Sequence, residues 1–313
     1  MFRPLTLCAL IATPLISGVL ISLLPTASPS GDGVIENASQ VNVEFSVPSF
    51  RVMSWNIENF FDVYDDPYTR DQVTKPAYVS ESRQKQIAAV IKELDADVIA
   101  LQEVENRYLL QEFVDQYLDG MGYQVVLVEG NDTRGIDVGL LTRFAIQEVA
   151  SYQHRRFDSS AGETMGFRRD LLRVRLAPPF DGDIYVVHLK SQHGDEVADV
   201  VREAEASEIA KILAEVGGGD KNYRGMVVGD FNEVPDMPTL DILRNSGLID
   251  CMADSEKYSY NKKPYLTRID YALLTPARQA GLISADILQT LGEHNLEACS
   301  DHYPLLMEWA AKN

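Results

Sequence analysis

The chain has 313 residues, 45% hydrophobic and 24% charged, with 20 Gly and 14 Pro, which excludes a fibrous or wholly disordered protein. Its formal charge of −19 excludes a protein that merely holds polyanions, because phosphate binding depends on Lys and Arg. Such an excess of acid suits a soluble extracellular surface or carboxylates gathered around metal ions.

Residues 5–24, LTLCALIATPLISGVLISLL, carry no charge and follow Arg3. This predicts a signal peptide over residues 1–24, or an N-terminal membrane anchor, with a cleaved signal preferred. Arg3 on the cytoplasmic side leaves the body of the protein outside, so it is expected to be secreted or periplasmic, or anchored with its folded domain outside. Residues 25–48, rich in Pro, Ser, Gly and Asn, predict a flexible linker. Residues 49–313 contain neither an internal repeat nor a second linker and are expected to form one domain.

Apolar runs predict strands over 50–57, 96–104, 123–130, 136–143, 171–178, 183–190, 225–232 and 269–276. Helical spacing of Ile87, Val90, Ile91 and Leu94 after Ser80 predicts a helix to residue 94, and a second is predicted over 195–216, ending at Gly217. Too many strands lack an intervening helix for a barrel of alternating units. Two packed sheets with helices outside fit better.

The strand ends are unusual. Asn56 and Glu58 close the first run, Gln102 and Glu103 the second, and His188 comes from inside another. Asp230 and Asn232 close "VVGDFN", Asp270 opens "RIDYALL", and Asp301 and His302 precede the last strand. Each alone is ordinarily a turn, a helix cap, a core histidine or half of a surface ion pair such as Asp270–Arg268. Together they make an oxygen-rich set suited to a hard divalent cation, Mg²⁺, Mn²⁺ or Ca²⁺. No Cys–His cluster has zinc spacing.

The stretches "SWNIENFF", "DADVIALQEVEN", "RGIDVGLLTR", "VVHLKSQHGD", "VVGDFNEVPD", "TRIDYALL" and "SDHYPL" occur in an order that resembles the endonuclease/exonuclease/phosphatase superfamily. That group contains pancreatic-type deoxyribonucleases, abasic-site endonucleases, sphingomyelinases and inositol polyphosphate 5-phosphatases. The resemblance implies a four-layer α/β sandwich, two packed mixed β-sheets flanked by helices, and metal-dependent phosphoester hydrolysis. It implies Glu103 as main metal ligand, with Asn56, Glu58 and Asp301 around the ion. Asp230 matches the residue that activates water, Asn232 the amide that holds the phosphate, and His188 a side chain that touches it. His302 matches the terminal histidine and Asp270 the carboxylate that orients it; Asp137 is placed where it could back His188.

The chemistry asks for the same groups. A phosphodiester repels hydroxide, so a cation must sit on its oxygens, neutral amides can hold it, and a carboxylate must take the proton of water. Arg134 and Arg169 are expected to meet the substrate, among basic residues that include Arg155, Arg156, Arg168, Lys262 and Lys263. His154, His193 and His294 have no motif around them and are read as surface residues.

The expected function is an extracytoplasmic nuclease, endo- or exo-acting on DNA or RNA, monomeric, with membrane contact only through an uncleaved leader. The alternative is a phosphatase or phospholipase-type hydrolase of inositol phosphates or sphingomyelin. Glu233-Val234-Pro235 and Thr267-Arg268-Ile269-Asp270 stand where the 5-phosphatases carry "NYR" and "WCDR", which favours the nuclease. A catalytically dead binding module would have lost site positions, and none is missing. Cys251 and Cys299 flank site segments, and a disulfide between them is expected as readily as two free thiols.

Overall fold

In the computed structural model, residues 49–64, 78–192 and 195–311 are described. The predicted leader, the linker and His193 lie outside the described residues. In chain order come β1 (Ser49–Phe60), α1 (Glu81–Leu94), β2 (Val98–Val104), α2 (Arg107–Tyr117), β3 (Gln124–Leu127), β4 (Asp137–Thr142) and β5 (Ile146–Ser151). A small hairpin of β6 (Phe157–Asp158) and β7 (Thr164–Met165) precedes β8 (Leu172–Leu176), β9 (Gly182–His188), α3 (Asp195–Gly217) and β10 (Gly225–Asp230). The chain continues through α4 (Pro238–Asn245), β11 (Ile249–Asp250), β12 (Asp270–Leu274), α5 (Pro276–Gln279), β13 (Leu282–Ile287) and β14 (Leu305–Ala310).

Two six-stranded mixed sheets result, in the orders β13-β14-β1-β2-β4-β3 and β11-β12-β10-β9-β8-β5. Strand alternation decides what each face meets. In β9 and β10, Ile184, Val186, Met226 and Val228 join Phe50 and Val52 of the first sheet in one apolar core. Their neighbours Tyr185, Val187 and Val227 face the opposite way, into a second core with Ile209 and Ile212 of α3 and Leu240 and Leu243 of α4. On the far side, Ile87, Val90 and Ile91 of α1 and Leu110 and Phe113 of α2 cover the first sheet. The layers are therefore helix, sheet, sheet, helix, as the sequence predicted. Among the described residues, no helix is long and apolar enough to cross a membrane.

Ser80 caps α1, its hydroxyl accepting the Arg83 N–H at 3.3 Å. Gly229, at φ +143°, stands where an added Cβ would lie 2.1 Å from the Val187 carbonyl oxygen. Only glycine lets β10 approach β9 so closely, one residue before Asp230.

Cys251 and Cys299 are free, which settles the disulfide question against a bridge. Cys299 is buried below the turn over Leu296–Ala298, its Sγ 3.5 Å from the Asn295 oxygen, whereas Cys251 follows β11 on the edge of the other sheet. Burial pushes their thiols up to about 11 and about 12, so both stay protonated and unreactive. Iodoacetamide labelling of the unreduced, denatured chain should therefore modify both cysteines, and protection of the pair would mean a disulfide.

Candidate active site

Register lines up three of the candidate side chains. Asp230 at the end of β10 pairs with His188 of β9 on one side and with Asp270 of β12 on the other. Each has the parity of the inter-sheet residues Val186, Val228 and Ala272, so the row faces the first sheet. There Asn56 of β1 pairs with Gln102 of β2, and the Asn56 amide reaches across to the Asp230 Oδ2 at 3.1 Å.

Alternation would turn Glu103 to the other face, away from Asn56. A bulge prevents this: the register of β2 skips from Gln102 to Val104 against both neighbours, and Glu103 takes φ +63°. Its Oε1 then lies 3.4 Å from the Asn56 Nδ2 and its Oε2 accepts the Asn59 N–H at 2.8 Å. β1 is bulged at the same level, between Asn56 and Phe60, with Glu58 and Asn59 also at positive φ. Non-glycine residues in this region cost roughly 1–3 kcal/mol each, which the surroundings must offset. Arg83 of α1 helps, donating to the Ile57 and Glu58 carbonyls and, at 2.8 Å, to the Cys299 oxygen.

The segment before β14 is bolted to the same place. The Ser300 hydroxyl donates to the Asn56 oxygen at 2.6 Å and accepts the His302 N–H at 3.0 Å, while Asp301 N–H binds Glu58 Oε2 at 3.1 Å. His302 Nδ1 is 2.7 Å from Asp270 Oδ2, leaving Nε2 at 3.8 Å from Asp230 Oδ2 and 3.9 Å from Asp301 Oδ1. Asp270 is not tied to Arg268, which forms a buried pair with Asp250 at 2.8 Å; instead the Ser259 hydroxyl accepts the Asp270 N–H at 3.0 Å. Tyr260 lies edge-on to His302 with ring centres 5.2 Å apart. Arg83, Ser259 and Tyr260 lie outside every motif of the sequence, and Ser300 opens "SDHYPL" without being one of its candidate site residues. Their partners are up to 244 residues away.

Burial raises Asp230 to about 7 against the pull of His302. His302 shows the opposite balance: burial draws its pKa down, but the Asp270 and Asp230 carboxylates outweigh it and hold the imidazole protonated. His188, with Nε2 3.4 Å from Asp230 Oδ2, is kept neutral by burial and by Arg169. A carboxylate thus sits between one charged and one neutral histidine. Asn232, at φ +51°, orients that carboxylate, its backbone N–H bonding Asp230 Oδ1 at 2.7 Å and its amide reaching Oδ2 at 3.2 Å and the Leu189 oxygen at 3.1 Å.

One assignment differs from expectation. Asp137 does not reach His188, whose Nδ1 has no partner among the described residues; Asp137 accepts the Gly130 N–H at 2.7 Å. Arg169 lines the cleft as expected but is 5% exposed, its guanidinium pairing with Asp132 at 2.9 Å and donating to the Leu189 oxygen at 3.1 Å, so it also braces the wall of the site. Arg134 remains half-exposed beside Asp132. His154 is exposed and His294 pairs with Glu93 at 2.6 Å, away from the site.

All of this opens into a cleft of about 1010 Å³. Glu58, Glu103 and Asp301 line it, as do Arg134, Arg168 and Lys190. Two sets of residues could hold a cation. Asp230, Asp270 and His302 bring ligand atoms within 4.8 Å of one another, yet His302 and Asp270 are already hydrogen-bonded together. Glu103, Glu58 and Asp301 are half-buried and line the opening, with Asn56 buried behind them, and they offer only hard oxygens, which fits a divalent cation such as Mg²⁺ better.

A model of the Endonuclease/Exonuclease/phosphatase family matches residues 51–263. No curated protein sequence matches the chain. Among solved structures it is similar to an endonuclease/exonuclease/phosphatase family protein from Bacteroides thetaiotaomicron, at 19% identity over 83% of this chain and 94% of that one, with a TM-score of 0.57. It is also similar to the 3′ phosphatase NExo from Neisseria, solved with a product DNA hairpin, at 17% identity over 83% and 99% of the two chains and a TM-score of 0.56. An AP endonuclease from Archaeoglobus fulgidus matches at 15% identity over 82% and 98%, with a TM-score of 0.57. At these identities the likeness to solved structures is one of fold.

Proposed function

The chain belongs to the endonuclease/exonuclease/phosphatase family, whose members are metal-dependent phosphoester hydrolases, and from that premise we propose that it is a nuclease working outside the cytoplasm on DNA or RNA, with Mg²⁺ or Mn²⁺ as its ion. The observation that carries the substrate class is the cleft itself. In a chain of charge −19, Arg134, Arg168 and Lys190 all line the cleft that holds the Asp230–His302 assembly and give it a basic wall. Such a wall suits a polyanion that continues past the scissile phosphate, since each neutralised phosphate releases counterions. A fold shared with a phosphatase bound to a DNA hairpin and with an AP endonuclease supports the same reading. The uncharged stretch over residues 5–24 supports export.

Glu103, with Asn56, Glu58 and Asp301, would hold the divalent cation, which supplies charge neutralisation at the phosphoryl oxygens. Asp230 Oδ2 takes the proton of the attacking water, held ready by the Asn56 and Asn232 amides. Protonated His302 presents its Nε2 proton to the phosphate or the leaving oxygen, and Asp270 keeps the ring in that orientation. Neutral His188 presents its Nε2 edge on the other side of Asp230 without adding a charge that would suppress the base.

The test is an assay of the purified protein on plasmid DNA, RNA, sphingomyelin and inositol phosphates. Nucleic acid should be cleaved fastest, with an apparent KM that rises with salt, and excess EDTA should abolish turnover until cation is restored. Faster turnover of sphingomyelin or inositol phosphates would overturn the nuclease reading, and undiminished turnover in EDTA would overturn the metal.

A further inference from the structure

Helix α3 packs an apolar stripe on the second sheet, yet its buried face also carries Arg202 and Glu205, each only 1% exposed. Both reach the loops that line the cleft. Glu205 Oε1 accepts the backbone N–H of Arg168 at 2.7 Å and Oε2 accepts that of Lys190 at 3.0 Å. Arg202 donates to the Lys190 carbonyl at 3.1 Å and to Glu233 Oε2 at 3.0 Å, and its remaining arm is taken by Asp199. The Lys190 peptide is therefore gripped at both ends, two residues past His188. Glu233 follows Asn232 directly, and its Oε2 also accepts the Thr239 hydroxyl at 3.1 Å. The neighbouring Leu189 carbonyl accepts from both Arg169 and the Asn232 amide.

We infer that Arg202 and Glu205 are positioning residues for the active site: Glu205 sets the basic wall of Arg168 and Lys190, and Arg202 sets Asn232, and through it Asp230, by way of Glu233. This rests on the proposed function for the identity of the polymer that meets the wall. The physical reason is that neither loop lies in a sheet ladder beyond His188 and Asp230, so past the Leu189–Asn232 contact their spacing is referred to α3 through these two side chains. A buried carboxylate with two amide donors and a planar guanidinium with fixed fork geometry are stiff connectors, and a buried charge cannot leave its partners for water.

The two residues separate in kinetics. Glu205→Gln keeps one acceptor and turns an amide N–H₂ toward a backbone N–H. It should raise KM for a single-stranded oligonucleotide about tenfold while leaving kcat, and both constants for bis(para-nitrophenyl) phosphate, within about twofold. Arg202→Lys keeps the charge but cannot bridge Lys190 and Glu233, so kcat should fall about tenfold on both substrates with KM unchanged. Glu205→Gln is near-isosteric and Arg202→Lys keeps the charge on a smaller head, and melting curves establish that each variant is folded at the assay temperature. Melting shifts with neither kinetic pattern, or equal losses of kcat in both variants on both substrates, would reduce the pair to ordinary buried polar packing and overturn the inference. If the parent protein hydrolysed the small diester but no nucleic acid, the nuclease reading would fall, and the Arg202→Lys result on the diester would still decide the positioning role.

Discussion

Asp230→Asn is expected to lower kcat by about three to four orders of magnitude while the folded state holds or gains stability. The substitution keeps the side chain's size and leaves an oxygen for the Asn232 N–H, so the turn after β10 survives. What it removes is the acceptor for the proton of water. It also removes an ionised group whose burial raises its pKa to about 7, beside Asp270 with its own carboxylate. A group that is harder to ionise when folded costs stability at neutral pH, so the neutral amide relieves a penalty. A gain of ~1 kcal/mol would lift the melting temperature by roughly 2–4 °C in a domain of this size. Initial rates on saturating nucleic acid, with a calorimetric scan, test both halves. Unchanged turnover would return "GDFN" to a plain turn and cap.

His302→Ala should lower kcat by a comparable factor, about 10³, but with the opposite effect on stability. Asp270 is 2% exposed and its Oδ2 is held by His302 at 2.7 Å. Truncating the imidazole leaves that carboxylate buried without its cation, a loss of about 3–5 kcal/mol. Asp270→Asn should be milder, about 10–10² in kcat, because Asn can still accept from Nδ1 and only the charge that holds His302 protonated is lost. Rates and melting temperatures of the two variants and their double separate these contributions. If His302→Ala kept its activity or its melting temperature, the acid–histidine assembly would have no catalytic or structural weight.

Much of the architecture is legible in the residues. Runs such as "GMVVGDFN" and "DIYVVHLK" are strands because both faces are buried, and α1 and α3 show helical spacing. Leu109, Leu110, Phe113 and Val114 after the Asn106 cap have the same spacing, so α2 is equally legible in the residues. β5 and β13 are different. They are edge strands, half-exposed and without clean alternation, and pairing with β8 and β14 makes them strands. α4 is eight residues long, too short for its periodicity to speak.

For the site, local sequence determined which side chains stand at the strand ends, because alternation along a strand is a local property; Asp230, His188 and Asp270 share a face by parity alone. Tertiary structure decided the rest. Glu103 has the wrong parity, and only a bulge, stabilised by Asn59 and Asn56 from another strand, turns it into the cleft. That His302 is charged and His188 neutral depends on which carboxylates and guanidinium groups lie within a few ångströms, which chain order does not contain. The same holds for Arg169, tied to Asp132 at the edge of the cleft, for the two unpaired cysteines, and for Arg202 and Glu205, which in sequence are two more charges on a helix. Residue type and spacing are written along the chain. Distance, burial and the field they create exist only once distant segments pack.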